Sequence, residues 1–385
     1  MRLALITRKF VKGDGQGRVN YELAQAALAE GHTVFLLARE VAPELASHPL
    51  ARCVLIRVMA LPSALLRDQL FAFQTAYWLW RHRAEVDLVH VNGFVSWSAA
   101  DVNSSHFVHA AWLRSPHHTW RRRKDLYGLY QFLYSAIGTW LERWSYRRAH
   151  CIVAVSEQVR SELVAVGVDP GRLRVIQNGV DVEEFSPLKV SREILGLPSG
   201  NLVLFTGDIK TPRKNLDTLL RAMAKIRDVR LIVAGDVSGS PYPRLARTLG
   251  LEQRVTFLGY RRDIPQLMRA ADLFVFPSRY EACSLVLLDA AASGLPVVAS
   301  RATGGTELLR PACSVLLEDS EDENMLASTL QDLFRDPARL KKMGDAARGV
   351  ALANTWQSMT QRYLQLYREL LRGREDHALV AGRVE

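Results

Sequence analysis

Short apolar runs recur along this chain, each followed by a turn and a stretch long enough for a helix. RLALIT (2–7) leads through KGDGQGRV (12–19) into the helical VNYELAQAALAEGH, which Gly31 ends, and TVFLLAR (33–39) follows. A strand that returns as a strand after a helix pairs in parallel, because parallel strands need such a crossover. Parallel strands are buried on both faces, so they read as continuous apolar runs rather than as alternation. The series therefore predicts a doubly wound α/β sheet. Further strands are expected at ARCVLIRV (51–58), DLVHVN (87–92), DVNSSH (101–106) and CIVAVS (151–156). The second half repeats the logic with LRVIQNG (173–179), NLVLFTGD (201–208), RLIVAGD (230–236), VTFLG (255–259), LFVFPS (273–278), PVVAS (296–300) and SVLLE (314–318). Helices intervene at LDTLLRAMAKI (216–226) and IPQLMRAA (264–271). The link between halves lies in the turn-rich stretch 178–200. The expected domains are 1–178 and 179–353, with a last helix at about 354–372 crossing back onto the first. Two such domains facing each other imply a cleft at their strand C-termini.

At 385 residues the chain has ample length for two or three cores. Its four cysteines are scattered with no C-x-x-C, which reads as buried thiols in a reducing compartment. The opening MRLALITRKFVKG has too short an apolar run for a signal peptide, and no run reaches the ~20 residues of a membrane span, so a cytoplasmic protein is expected. Net charge is +10, and residues 1–170 hold 20 Lys+Arg against 14 Asp+Glu together with seven of the eight tryptophans. Basic charge with interfacial aromatics suits an anionic partner, such as a membrane surface, a nucleic acid or a phosphorylated substrate, although it also serves plain solubility. Spread-out basic residues and the lack of a reader motif argue against nucleic acid. The run RRRK (121–124) lies between Trp120 and a helix carrying Tyr127, Tyr130, Tyr134, Trp140 and Trp144. Two readings stand: the helix lies on a membrane face, or its aromatics face the core and its arginines face water.

Residues 281–300 read EACSLVLLDAAASGLPVVAS, with Glu281 and Asp289 at the two ends of an apolar segment. Within one helix, residues eight apart sit roughly 80° apart around the axis and ~12 Å along it, so the two carboxylates cannot share a proton or a metal. The helix is expected to start near Ser284, run to Ser293 and stop at Gly294 and Pro296, with Glu281 in the loop before it. A helix N-terminus between two carboxylates could grip an extended ligand with an anion at its middle. The alternative is that Glu281 complements the helix dipole and Asp289 is solvated.

TGDIKTPRKNLDTLL (206–220) places Gly207 at a strand end and Arg213 and Lys214 at the mouth of the next helix, a fork and a point charge suited to a diphosphate. They could equally be solvated loop cations. GDGQG (13–17), containing Gly15 and Gly17, is neither a clean G-x-G-x-x-G nor a P-loop, and reads as an anion-binding turn or a plain one. His106, in SSHFVHAAW, ends a strand, with His90 and His109 nearby. There is no Ser or Cys triad spacing, no H-E-x-x-H and no D-x-D pair to hold a metal.

Taken together, the chain resembles the retaining family 4 glycosyltransferases of the GT-B fold, in which two Rossmann-like doubly wound domains face across a cleft. The likeness is nearly full-length and rests on the Gly-rich turn, on VAVSEQVRSELVAVGVDPGRLRVIQNGVDVEEFSP, on LFTGDIKTPRKNLDTLLRAM and on FLGYRRDIPQLMRAADLFVFPSRYEACSLVLLDAAASGLPVVAS. The resemblance implies a hexosyltransferase-type enzyme moving a sugar from a UDP- or GDP-linked donor to an acceptor hydroxyl, with no metal or other cofactor. It matches Glu281 to the donor-sugar carboxylate and Asp289 to the ribose carboxylate of an E-x7-E motif. It matches Arg213, Lys214 and the N–H groups near Ser284 and Leu285 to the diphosphate, with Gly207 at the strand end beside them. It matches Gly15 and Gly17 to the loop that closes over the diphosphate, and His106 to a histidine against the donor sugar. The chain departs from the pattern at Asp289, where Glu is usual, at Asp208 and Asp14, and in E-A-C-S for E-G-F-G. A glycan or lipid-linked acceptor in cell-envelope synthesis, lipopolysaccharide included, and a peripheral place at the inner face of the membrane are the accompanying expectations. The competing readings are a catalytically degenerate binding subunit and a nucleotide-sugar epimerase or phosphorylase of the same architecture.

Overall fold

The computed structural model describes residues 1–59 and 63–381. The chain divides into two compact units, Met1–Asn178 with the segment from Trp356 onward, and Gly179–Thr355.

The first unit is built on seven strands: β1 (Arg2–Ile6), β2 (Thr33–Ala38), β3 (Ala51–Leu55), β4 (Leu88–Asn92), β5 (Ala100–Ser105), β6 (Ala149–Ala154) and β7 (Leu173–Val175). They form one sheet in the order β3-β2-β1-β4-β5-β6-β7, every pair parallel. The second unit repeats the plan with β8 (Asn201–Thr206), β9 (Val229–Ala234), β10 (Val255–Gly259), β11 (Leu273–Phe276), β12 (Val297–Ser300) and β13 (Ser314–Leu317). Its order is β10-β9-β8-β11-β12-β13, again all parallel. Each unit starts in mid-sheet, winds to one edge, then returns to fill the other side. The strand order therefore reverses beside the first strand, between β1 and β4 and between β8 and β11. At such a reversal the flanking loops diverge and leave a crevice at the strand C-termini.

Burial explains the runs. Leu202, Val203, Leu204 and Phe205 of β8 and Phe274, Val275 and Phe276 of β11 are fully enclosed, so both faces of these strands are covered. One sequence reading is corrected. LRV at 173–175 belongs to the first sheet, not the second, because Leu173 pairs in register with Ile152 and Val175 with Ala154.

The helices of the first unit include α1 (Gly15–Ala29), α2 (Ala64–His82) and α3 (Leu126–Arg147), those of the second α4 (Leu216–Lys225) and α5 (Leu285–Ala292), and α6 (Trp356–Ala381) returns to the first. The last is pinned into the first unit. Tyr367 Oη lies 2.5 Å from His90 Nδ1 on β4, and Tyr363 Oη lies 3.0 Å from Ser104 Oγ on β5.

Helix α3 splits its aromatics between the two readings: Tyr127 and Trp140 are exposed, whereas Tyr130, Tyr134 and Trp144 are half-buried. It buries Leu141 and Tyr146 together with Gly128, Ser135, Gly138, Glu142 and Ser145, and it exposes Leu126, Leu133, Ile137 and Trp140. The small face is required by close approach: a Cβ on Gly138 would lie 2.6 Å from His109 Cδ2. Glu142 is held there by two bonds from His109, one from its backbone N–H at 2.8 Å and one from Nδ1 at 2.6 Å.

Candidate active site

In the second unit β8 ends at Gly207, whose φ of +151° few other residues adopt. A Cβ on the neighbouring Gly235 would lie 2.4 Å from Gly207 O, so the ends of β8 and β9 touch backbone to backbone. The chain then makes a tight turn, Pro212–Lys214, closed by Asn215 at φ +59°. Asn tolerates this left-handed state. Here its Nδ2 also donates to Pro277 O at 2.9 Å and to Ser320 O, tying the turn to the loops after β11 and β13.

That tie aims two cations at one carboxylate. Arg213 Nη1 lies 2.8 Å and Lys214 Nζ 2.6 Å from Glu281 Oε1, with Ser278 Oγ donating to the same oxygen at 3.3 Å. Lys214 Nζ also stands 5.0 Å over the Phe276 ring. Glu281 is buried. Burial works against its charge, yet Lys214 and Arg213 hold the carboxyl below its ordinary value. Burial and the neighbouring Arg213 lower Lys214, against the pull of Glu281. Two cations facing one carboxylate leave one positive charge without a counter-charge in the trio.

The loop carrying Glu281 is laced to a second loop. Glu281 N–H donates to Ala302 O at 3.2 Å, Gly304 N–H to Glu281 O at 2.8 Å, and Ser284 N–H to Gly304 O at 3.0 Å. A Cβ on Gly304 would fall 1.9 Å from Ala282 O, so only glycine fits. Ser284 is the N-cap of α5 and makes no side-chain capping bond. Its N–H is taken by Gly304, which corrects the expectation of paired donors from Ser284 and Leu285; the helix starts at Leu285. Asp289 sits half-buried in the second turn of α5.

Sequence reasoning missed Arg279, whose side chain is fully enclosed. It makes a two-pronged contact with Asp217, 2.8 Å to each oxygen, and reaches Glu321 Oε2 at 3.1 Å. Burial opposes its charge, but the bonds to Asp217 and Glu321 raise it above its ordinary value. Its backbone N–H donates to Arg213 O at 2.9 Å, so this ion cluster around a buried arginine braces the turn that presents Arg213 and Lys214. An arginine inside the apolar run FVFPSRYEACS was the available signal, since a buried cation requires carboxylates.

The structure thus brings together Gly207, Arg213, Lys214, Glu281 and the start of α5. Gly15, Gly17 and His106 belong to the first unit. Gly15 is the exposed first residue of α1. Gly17 N–H is already bonded to the carboxylate of the N-cap Asp14 at 2.7 Å, so it is not the open anion donor expected of the Gly-rich turn. His106 lies just past β5 with Nε2 buried and unpartnered, and burial pushes its imidazole down to about 4. Of its two neighbours, His90 has both nitrogens bonded, to Tyr367 and Ser104, and His109 is held by Glu142.

Two Rossmann-like units of this topology define a GT-B protein, and solved structures share the whole fold. Sucrose-phosphate synthase from Thermosynechococcus elongatus superposes with a TM-score of 0.79 at 24% identity, over 97% of this chain and 99% of that one. WaaG, a glycosyltransferase involved in lipopolysaccharide biosynthesis, gives 0.75 at 20% identity, over 94% and 98%. Anabaena HepE in complex with UDP-glucose gives 0.71 at 22% identity, over 96% and 99%. The chain belongs to the family 4, group 1 glycosyltransferases: residues 13–184 match the profile of Glycosyltransferase Family 4 and residues 200–336 that of Glycosyl transferases group 1. The D-inositol 3-phosphate glycosyltransferase of Mycobacterium tuberculosis is 36% identical over 233 residues, 57% of this chain. That alignment spans 48% of the relative, so the chain covers about half the length of the curated relatives it matches.

Proposed function

We propose that this protein is a retaining glycosyltransferase that moves a sugar from a nucleotide-diphosphate donor to an acceptor hydroxyl. The observation that carries the reading is the convergence of Arg213 and Lys214 on Glu281 Oε1 at 2.8 and 2.6 Å. The unbalanced positive charge of that trio suits a diphosphate, on which negative charge grows as the glycosidic bond breaks. Fixed charges aimed at such a leaving group are commonly the largest catalytic contribution. The N-terminal end of α5 at Leu285 adds its dipole. The side-chain partners of Glu281 meet Oε1, which leaves Oε2 to accept from a hydroxyl of the sugar. Asp289 takes the ribose diol, and His106, neutral at pH 7, offers its open Nε2 to a hydroxyl. Two cations supply the charge neutralisation that a metal gives elsewhere, so the proposed reaction uses none. The acceptor hydroxyl attacks the face the diphosphate leaves, without a protein-bound intermediate.

UDP is the preferred nucleotide in this proposal, on the strength of the HepE complex with UDP-glucose; GDP is the alternative. An envelope-glycan or lipid-linked acceptor is supported by the likeness to WaaG. The test is thermal unfolding with UDP, GDP, ADP and their sugar conjugates, followed by a product assay with the donor that binds. A ligand at a hundredfold excess over Kd stabilises the fold by about 2.7 kcal/mol. A shift with one nucleotide, abolished by Lys214→Ala, is expected. No shift with any nucleotide would point to a degenerate binding subunit, and donor turnover without transfer to a new acceptor to an epimerase or phosphorylase.

A further inference from the structure

Arg8 and Arg39 repeat in the first unit the charge arithmetic of Arg213 and Lys214 in the second. Arg8 follows β1 and Arg39 follows β2, two neighbouring parallel strands, and the Arg39 N–H donates to Arg8 O at 3.0 Å. Both side chains close on Asp68 of α2. Arg8 Nε lies 3.1 Å from Oδ1 and Nη2 2.8 Å from Oδ2, and Arg39 Nη2 lies 3.1 Å from Oδ1. Tyr134 Oη, from α3, donates to Oδ2 at 3.3 Å. Burial raises this phenol above its ordinary value, so it stays a neutral donor. Lys9 beside them is matched by Glu40 at 2.8 Å. Two guanidinium groups on one carboxylate therefore leave one positive charge of the trio without a counter-charge.

A brace between sheet and helix accounts for one of these arginines, not two. Arg8 alone spans both oxygens of Asp68, a complete two-pronged pair. Arg39 brings a second cation to an oxygen already taken. The carboxylate is the enclosed member, 10% exposed, whereas the side chains of Arg8 and Arg39 are 37% and 28% exposed, so what reaches solvent is positive. The Arg39 guanidinium stands 5.5 Å over the Phe71 ring, and its Nε is buried with no hydrogen-bond partner among the described residues. Its contact with Asp68 thus leaves the fork incompletely satisfied, and an unmet N–H is costly. The place suits a ligand as well: β1 borders the strand-order reversal of this sheet, and ligands of doubly wound sheets gather at that end. Two forks at the ends of adjacent strands suit a phosphate, whose three terminal oxygens can meet both at once.

We propose that Arg8 and Arg39 form a binding site for a phosphate group. On the transfer reading above, on which this clause alone rests, a sugar-phosphate acceptor carries it. The experiment is titration calorimetry of the full chain at low salt with inorganic phosphate, with glucose 6-phosphate and with glucose. Both phosphates are expected to bind and glucose is not. Arg39→Gln should weaken binding by about tenfold or more, the scale of a hydrogen bond to a charged group. Its thermal midpoint should stay near the wild type, because Arg8 keeps the pair with Asp68. Asp68→Asn should tighten binding, since it removes the competing negative charge. Lys214→Ala should leave it unchanged. No binding of either phosphate would overturn the proposal. So would binding lost in Lys214→Ala and kept in Arg39→Gln, which would place the anion on the second unit. Tighter binding of the ester than of the free ion supports the acceptor clause, and the reverse order overturns it. The UDP-induced thermal shift of the same samples reads the transfer proposal separately: its absence would sink that reading and leave the phosphate site standing.

Discussion

Lys214 Nζ stands 2.6 Å from Glu281 Oε1, in a buried pair that Arg213 leaves one charge out of balance. Glu281→Gln keeps the shape and removes the charge. We expect transfer to fall by about a hundredfold or more, the scale of losing one well-placed electrostatic contact. Lys214 then lies buried without a carboxylate, so the melting temperature should fall too, because breaking a buried pair costs about 3–5 kcal/mol. Steady-state kinetics and a melt of the same preparation check both, and full activity in Glu281→Gln would sink the assignment.

Arg279 is predicted to matter for stability rather than for donor affinity. Arg279→Met leaves the largely buried Asp217 with Arg221 at 3.5 Å and returns Glu321 to water, a loss of about 3 kcal/mol, or about 5–10 °C in a unit of this size. Arg279→Lys should rescue little, since a point charge cannot repeat the two-pronged contact with Asp217. Calorimetry decides, and a midpoint within about a degree of wild type would show the cluster to be dispensable.

Asp14 occupies the N–H of Gly17 and places a negative charge at the start of α1. Asp14→Gly frees that N–H at a stability cost of a few tenths of a kcal/mol, since Gly is a tolerable N-cap. If the turn serves the diphosphate, the variant should bind nucleotide-sugar several-fold more tightly by titration calorimetry. Unchanged affinity would mark the turn as purely structural.

Acid should destabilise the fold through two histidines. Burial holds His106 near 4 and His90, with His106 adding to the effect, near 3, whereas an unfolded imidazole titrates near 6.5. Below 6.5 the unfolded chain therefore binds more protons than the folded one. The stabilising contribution is complete above that pH and declines down to about 4 for His106 and about 3 for His90. Each ring contributes a slope of about 1.4 kcal/mol per pH unit within its window. Urea midpoints at neutral pH and near pH 5 should show the slope, and His106→Asn should remove about half of it; an identical slope in the variant would mean that His106 is not held neutral.

The strand series is legible in the sequence because burial on both faces writes an unbroken apolar run into each segment. The pairing of those runs is not, since it depends on contacts distant in sequence; hence LRV at 173–175 reads as the opening of the second sheet although it closes the first. Arg213, Lys214 and Glu281 stand out by type and place, but their meeting at one oxygen depends on Asn215 and Arg279, whose partners lie far along the chain. Periodicity shows a stripe on α3 without its sign: the spacing of Leu126, Leu133, Ile137 and Trp140 is the same whether the stripe faces the core or the solvent. The packing of His109 against Gly138, on the buried side, is a contact the periodicity does not announce. The bond from Ser284 N–H to Gly304 is likewise a loop-to-loop contact that neither loop announces alone.

That contact has a consequence for engineering. An added Cβ on Gly304 would meet Ala282 O at 1.9 Å, and three backbone bonds join the loops at 281–284 and 302–305. Residues 302–305 are therefore a remote handle on Glu281: substitutions there that keep Gly304 would move the carboxylate by its backbone and leave its charge intact. A library built to change sugar preference would do better to vary Ala302 and Thr303 than the acidic residue they hold in register, and would keep Gly305, whose φ of +95° strains any other residue.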